Sequence, residues 1–242
     1  MTQAPRPDAD VQLVVFDLMG TLIADDGVVA AAYDSALEQA GLDPNSDEFA
    51  AGRRRVDELR GRPTLLVLTD VLGDPVRAEE ATWAFDDSIL NAVPAMSEIP
   101  GAGSTLNTLA DRGILTAVTT SFTPEVRKAV LKQMQWQDVF AATLSAHGQR
   151  RGHPAPDLLL HAILELRIDS VGQVAIVGDS PSDLVAGNRA GAGLVVAVRS
   201  GGAEEQLLLD SPHTHLVDSV ADLVSVLDSP RTVGQRRTSD KD

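Results

Sequence analysis

No cysteine occurs among the 242 residues, so neither a disulfide nor a thiolate nucleophile is available to this chain. Lysine is nearly as scarce: Lys128, Lys132 and Lys241 are the only ones, and every other cation among the 20 Lys and Arg is an arginine. Chemistry that needs an amine, such as a Schiff base, is confined to those positions. No apolar run approaches the roughly 20 residues of a membrane-spanning helix. Residues 1–10 are polar, carry two prolines and lack an apolar signal core, so no export is expected and the cytoplasm is the expected location. Cations are outnumbered overall, and the formal net charge is −15. That excludes general binding to nucleic acid or to an anionic membrane. It leaves a phosphorylated substrate open, because local charge decides there.

What is present is an ordinary globular composition, 43% hydrophobic, in a chain long enough for one large core or a core with an insertion. The organising stretch is Val14-Val15-Phe16-Asp17-Leu18-Met19-Gly20-Thr21-Leu22. An apolar run climbs to a single acid, and Gly20 and Thr21 then break the strand. A carboxylate at the mouth of a buried strand is costly to desolvate, so it reads as a nucleophile or a metal ligand. The alternative is an Asp that caps the next turn.

Downstream of a first strand over 11–16, helical signals follow one another without a strand. A helix over 28–40 ends at Gly41. Ser46 caps a second, with Asp47 and Glu48 in its first turn, running to about residue 60. A third covers 64–72. Asp74 caps a fourth, with Pro75 at its first position, running to about 91. A strand in a plain βαβ unit would return far sooner than these roughly 70 residues allow. Residues 24–92 are therefore expected to form an inserted helical cap, with the core in 10–23 and 93–228. Helices over 102–112, 124–133 (capped by Thr123), 156–166 and 183–190 then alternate with strands over 114–119, 139–144, 174–177 and 194–198. Helices over 203–209 and 221–227 flank a short strand over 215–217. This alternation predicts an α/β fold with a parallel sheet covered by helices on both faces. Residues 229–242 read as a disordered polar tail.

Two further strands end in polar groups. Ile114–Ser121 closes on the hydroxyls of Thr119, Thr120 and Ser121, and Val174–Asp183 closes on Gly178-Asp179-Ser180-Pro181-Ser182-Asp183. Strand carboxyl ends that share one edge of a parallel sheet form a site. In order and spacing, this triple resembles the haloacid dehalogenase superfamily of aspartate-nucleophile hydrolases, over about residues 11–227. The resemblance implies a Rossmann-like core with a helical cap. It makes Asp17 the nucleophile that becomes a phospho-aspartate. It implies Mg²⁺ held by Asp17, the backbone carbonyl of Met19, Asp179 and, directly or through water, Asp183. Asp183 could equally cap the following helix. Thr120 stands where the family holds a phosphoryl oxygen, and Gly20, Thr21 and Ser121 are expected against the substrate. The two hydroxyls of Thr120 and Ser121 could instead cap the helix at Pro124.

The third motif of the family falls on Gly152-His153-Pro154-Ala155-Pro156-Asp157, with His153 where a lysine or arginine is usual. Arg150 and Arg151 could substitute, or His153 could pack against its prolines. His147, His161, His213 and His215 show no ligand spacing and read as structural. Met19 stands where ordinary phosphatases of the superfamily place a general-acid Asp. With the Gly-His-Pro setting and Gly52-Arg53-Arg54-Arg55, it resembles the phosphonoacetaldehyde hydrolases and their relatives. The Schiff-base lysine position of that subgroup holds Arg55, which stays protonated and cannot form an imine. Arg55, with Arg53, Arg54, Arg60 and Arg62, is expected either to present a cationic cap surface to a second anionic group of the substrate, or to form a solvated helix face with pairs such as Arg54–Glu58. The expected function is Mg²⁺-dependent hydrolysis of a small anionic phosphorylated or phosphonate-related metabolite. A weakened binding or regulatory protein and a dehalogenase are the alternatives; the metal-binding acids Asp179 and Asp183 speak against the second. A homodimer is left open.

Overall fold

The computed structural model describes residues 11–146 and 151–229. The N-terminal stretch 1–10, His147, Arg150 and the tail beyond 229 lie outside the described residues. Strands β1 (Leu13–Phe16), β2 (Leu115–Thr120), β3 (Ala142–Ser145), β4 (Val174–Gly178), β5 (Leu194–Val198) and β6 (His215–Val217) form one parallel sheet in the order β3-β2-β1-β4-β5-β6. The order reverses at β1, flanked by β2 and β4, so their carboxyl ends open onto the crevice where such sheets bind ligands.

Alternation along each strand divides the core in two. Val14 and Phe16 of β1 join Val118, Val177 and Val196 in one apolar cluster; Leu13 and Val15 join Ala117, Ile176 and Val195 in the other. Side chains of period two, buried on both faces, require a helical layer on each. Helices α7 (Asp157–Glu165) and α8 (Pro181–Ala190) cover the second face, and Gly187 lets α8 sit close: a Cβ there would come within 2.2 Å of Ile176 Cγ2. The first face carries α5 (Ala102–Asp111), α6 (Pro124–Gln133) and α10 (Leu223–Asp228). The short α9 (Glu205–Leu209) packs Leu208 into the second cluster.

Between β1 and α5 stand α1 (Val28–Gln39), α2 (Asp47–Glu58), α3 (Thr64–Leu72) and α4 (Pro75–Ala92), with no strand among them. Their beginnings follow the local chemistry. The side chain of Ser46 accepts from Phe49 N, and Asp74 accepts from Val76 N and Arg77 N ahead of Pro75. Thr123-Pro124 and Ser180-Pro181 repeat the same device, an oxygen-bearing cap before a proline whose missing N–H costs nothing in the first turn. Gly41 follows α1 in the left-handed conformation (φ 90°). The apolar cluster of the sheet's first face continues into this segment without a break, through Tyr33, Phe85 and Phe122, whose rings lie 4.7 Å and 6.1 Å apart in succession.

Several sequence expectations shift. The third strand begins at Ala142 rather than residue 139, because Val139 N bonds to Trp136 O in a turn that brings Phe140 edge-on to Trp136. Helix α8 begins at Pro181 rather than at 183, with Ser180 as its cap. The expected helix 203–209 shortens to Glu205–Leu209, and the last one opens with a 3₁₀ turn over Val220–Asp222 capped by Ser219.

Candidate active site

Asp17 is the first residue beyond β1, and its N–H donates to Val177 O at 2.9 Å, which fixes its carboxylate beside the end of β4. Asp179 follows β4 directly, and Asp183 lies in the first turn of α8. The three carboxylates each offer an oxygen within 4.8 Å of the others. Asp179 and Asp183 are buried. Burial pushes the Asp17 carboxyl well above the usual carboxylate range, and its negative neighbours Asp183 and Asp179 push it further. Burial likewise raises Asp179 to about 7, with Asp183 adding to the rise and the Arg60 guanidinium opposing it. Like charges this close cannot all ionise without a counter-charge. Hard oxygen donors in this number suit a small divalent cation such as Mg²⁺, so the donor set fits the metal that the sequence predicts.

Glycines make room for these acids. A Cβ on Gly20, which adopts φ 82°, would stand 2.4 Å from Asp179 Oδ2, and one on Gly201 would stand 1.8 Å from the same oxygen. A Cβ on Gly178 would stand 2.3 Å from Asp183 Cβ. Sequence reasoning missed Gly201, although Ser200-Gly201-Gly202 directly after a buried strand at the ligand edge was a usable signal. Ser200 Oγ also donates to Gly20 O at 2.8 Å, tying that loop to the turn after β1. Gly201→Ala is expected to displace the Asp179 carboxylate. The Mg²⁺-dependent rise in Tm, measured by scanning calorimetry, should shrink or vanish while the metal-free transition persists; an unchanged Mg²⁺ response would show that the carboxylate tolerates the methyl group.

Thr21 is fully buried and donates its hydroxyl to Asp179 Oδ1 at 3.3 Å, so it faces an acid of the cluster. Thr120 and Ser121 line the same pocket as Asp17, and Thr120 Oγ1 accepts from Phe122 N at 3.2 Å. Capping of α6 falls to Thr123, so the two hydroxyls are not spent there.

Asp183 is not the N-cap of α8, which is Ser180, but it completes a capping box with that residue. It sits at the third helical position, where its Oδ2 accepts from Ser180 N at 3.0 Å and from Ser180 Oγ at 2.7 Å. Its Oδ1 meets His153 Nδ1 at 2.7 Å. His153 is buried, and its Nε2 has no hydrogen-bond partner. Arg151 is exposed and bound to Asp157 at 2.7 Å, so it does not stand in for His153. His213 Nδ1 meets Ser211 O and His161 lies 4.0 Å from Glu165, both away from the acids.

The pocket over Asp17 encloses about 670 Å³ of atom-free space, part of it open to solvent. Met19, Thr120, Ser121 and Asp179 line it from the sheet side; Tyr33, Val56, Arg60 and Phe85 line it from the helical segment. Arg55, expected against the substrate, is not among its lining residues. It is exposed, held by Asp70 at 2.6 Å and Glu58 at 2.7 Å. The reason is helix phase: Phe49, Gly52 and Val56 turn inward, which sends Arg53, Arg54 and Arg55 outward. Arg53 pairs with Asp34, and the pair with Glu58 is made by Arg55 rather than Arg54. The cations that reach the pocket are Arg60, one turn on, and the exposed Arg62. The guanidinium of Arg60 lies 3.4 Å from Asp25, and the residue's backbone oxygen accepts from Ser182 Oγ at 2.8 Å.

Residues 11–191 match the model of the haloacid dehalogenase-like hydrolases. A phosphoglycolate phosphatase of Neisseria meningitidis is 31% identical over 202 residues, covering 82% of this chain and 84% of that protein. A probable phosphatase, IndB, of Dickeya dadantii is 28% identical over 219 residues, covering 88% and 91%. Among solved structures, a phosphonoacetaldehyde hydrolase-like protein from Oleispira antarctica superposes with a TM-score of 0.80 at 23% identity, covering 94% of this chain and 95% of that one. At that identity the likeness concerns the fold.

Proposed function

The chain belongs to the haloacid dehalogenase-like hydrolases and is a phosphatase-like hydrolase, and from that premise we propose that it hydrolyses a small phosphorylated metabolite through an aspartyl-phosphate intermediate. The observation that carries the reading is the cluster of Asp17, Asp179 and Asp183 at the ends of β1 and β4, facing a pocket closed by the helical segment. In this reading residues 24–92 act as a cap over the core, and the protein works in the cytoplasm.

The Asp17 carboxylate attacks phosphorus, the P–O bond to the leaving group breaks, and water then attacks the phosphorus of the acyl phosphate to restore Asp17 and release phosphate. Mg²⁺, held by Asp17, the Met19 carbonyl and Asp179 with Asp183 behind them, would supply charge compensation for the phosphoryl oxygens and the nucleophile. Thr120 and Ser121 hold phosphoryl oxygens by hydrogen bonds. Thr21 and the Gly20 turn set the orientation of Asp179. His153, oriented by Asp183, provides a donor where the family uses a lysine.

A panel of phosphate esters and acyl phosphates, with Mg²⁺ and with EDTA, tests the reading. Turnover in Mg²⁺ that EDTA abolishes is expected. Absence of turnover across the panel would favour a binding or regulatory role instead. The imine route of the phosphonatases is excluded from the proposal: no lysine occurs in residues 24–92, and Arg55 cannot condense with an aldehyde. Borohydride added with phosphonoacetaldehyde should trap no adduct by mass spectrometry, and an adduct on the helical segment would overturn the assignment.

A further inference from the structure

The wall opposite Asp17 is made of Val29, Ala30, Tyr33, Val56, Phe85 and Phe122. Three of these are aromatic rings of the cluster that joins the helical segment to the sheet, and Phe85 is buried against both Tyr33 and Phe122. The Tyr33 phenol hydrogen-bonds with Thr64, and burial pushes it up to about 12, so this wall carries no charge at any physiological pH. Below it, Met19 presents a thioether. Such a surface favours a ring or a short apolar group and offers little to a hydroxylated or anionic one.

The charges on the same side of the pocket cancel. Arg60 faces Asp25, both largely withdrawn from solvent at 24% and 13% exposure. Asp57 and Arg62 are exposed, and Arg62 lies in the field of Asp70. The arginines of α2 are turned outward, two of them onto acids. A second anion that engaged Arg60 would displace Asp25 and leave that mostly buried carboxylate with only the bond from Val29 N, which is the unfavourable way to break an ion pair, while exposed Arg62 offers a solvated cation worth little. Of the cationic surface expected from the arginines, only Arg60 and Arg62 reach the pocket, and each stands near an acid.

Resting on the phosphatase reading above, we infer that the group esterified to the phosphate is uncharged and largely apolar, of about the size of one ring, and that the Arg60–Asp25 pair selects against substrates with a second anionic group. This sets the chain apart from a relative named for phosphoglycolate, whose leaving group carries a carboxylate.

The test measures binding, so that it stands even if turnover fails. Benzylphosphonate and phosphonoacetate share a non-hydrolysable phosphonate and differ in the group presented to the wall. Titration calorimetry on the Mg²⁺-loaded protein should give benzylphosphonate the tighter Kd, by about tenfold or more. Equal affinities, tighter phosphonoacetate, or no binding of either would overturn the inference. Asp25→Asn frees Arg60 while Asn Oδ1 can still accept the bond from Val29 N that Asp25 now accepts at 2.9 Å. In that variant phosphonoacetate should gain about tenfold and benzylphosphonate little. An unchanged ratio would show that the pair does not set selectivity. Hydrolysis of p-nitrophenyl phosphate in Mg²⁺, followed in parallel, reports on the catalytic reading alone.

Discussion

Asp17→Asn is expected to lower turnover of any phosphorylated substrate by a factor on the order of 10⁴ or more, the scale of losing a nucleophile, and at the same time to raise the Tm of the metal-free protein. An amide cannot form the acyl phosphate, so the first effect follows from chemistry alone. The second follows from electrostatics. Asp17 and Asp179 are both pushed up by burial and by their acidic neighbours, Asp179 to about 7. Their folded forms hold protons that the unfolded chain has already released. The stability that this protonation confers is fully present below the unfolded pKa near 4 and is lost as pH rises through about 7. At pH 8 without metal, folding must either take up a proton at Asp17 or carry the repulsion of its acidic neighbours, and Asp17→Asn removes the need for both. A rise of about 3 °C or more corresponds to 1 kcal/mol in a chain of this length. Bound Mg²⁺ should stabilise the wild type and narrow or reverse the difference. Retained turnover would remove Asp17 from the mechanism; a lower metal-free Tm at pH 8 would mean the carboxylate is better satisfied than its surroundings indicate.

The second large effect concerns the leaving group. Met19 lines the pocket two residues past Asp17 and has no proton to give. General-acid assistance is typically worth about 10² to 10⁴-fold. His153 is not expected to supply it, because it is absent from the residues that line the pocket, where the leaving group would sit. Esters of acidic alcohols and acyl phosphates should therefore be cleaved far faster than alkyl esters. Plotted against leaving-group pKa, log(kcat/KM) should fall steeply for the wild type and less steeply for Met19→Asp. A flat series in the wild type would reveal another acid and remove the significance of Met19.

The sheet side of the pocket was legible where its residues end a buried strand. Asp17, Thr120 and Asp179 follow apolar runs that have no other way to meet a charge or a hydroxyl. The far side was not legible in the same way. Arg55 attracted attention as part of a cation run, yet a run of consecutive residues on a helix points over more than half a circle, and only phase decides which one looks inward. Reading Phe49, Gly52 and Val56 as the inward stripe would have placed Arg55 outside and Leu59 with Arg60 back toward the core. Gly201 escaped for a different reason. Ser200-Gly201-Gly202 marks a turn at the ligand edge, but the acid that Gly201 approaches is set by the β4–β5 pairing, which no local pattern reports. Asp183 was read as a helix cap or a metal ligand, but its partnership with His153, 30 positions away, could be seen only once α7 and α8 had packed.

The unbroken apolar cluster that runs from the sheet through Phe122 and Phe85 into α1 and α4 bears on how this protein can be re-engineered. A helical segment with its own sealed core could be exchanged between relatives as a cassette, carrying its pocket wall with it. Here the side chains that shape the wall are also those that weld the segment to the sheet. A transplanted segment would arrive with half of a jigsaw, and the strand-side residues facing it would have to be redesigned together with it. Substitutions that retune the pocket at Phe85 or Tyr33 fall under the same restriction, since each such change is also a change to the joint.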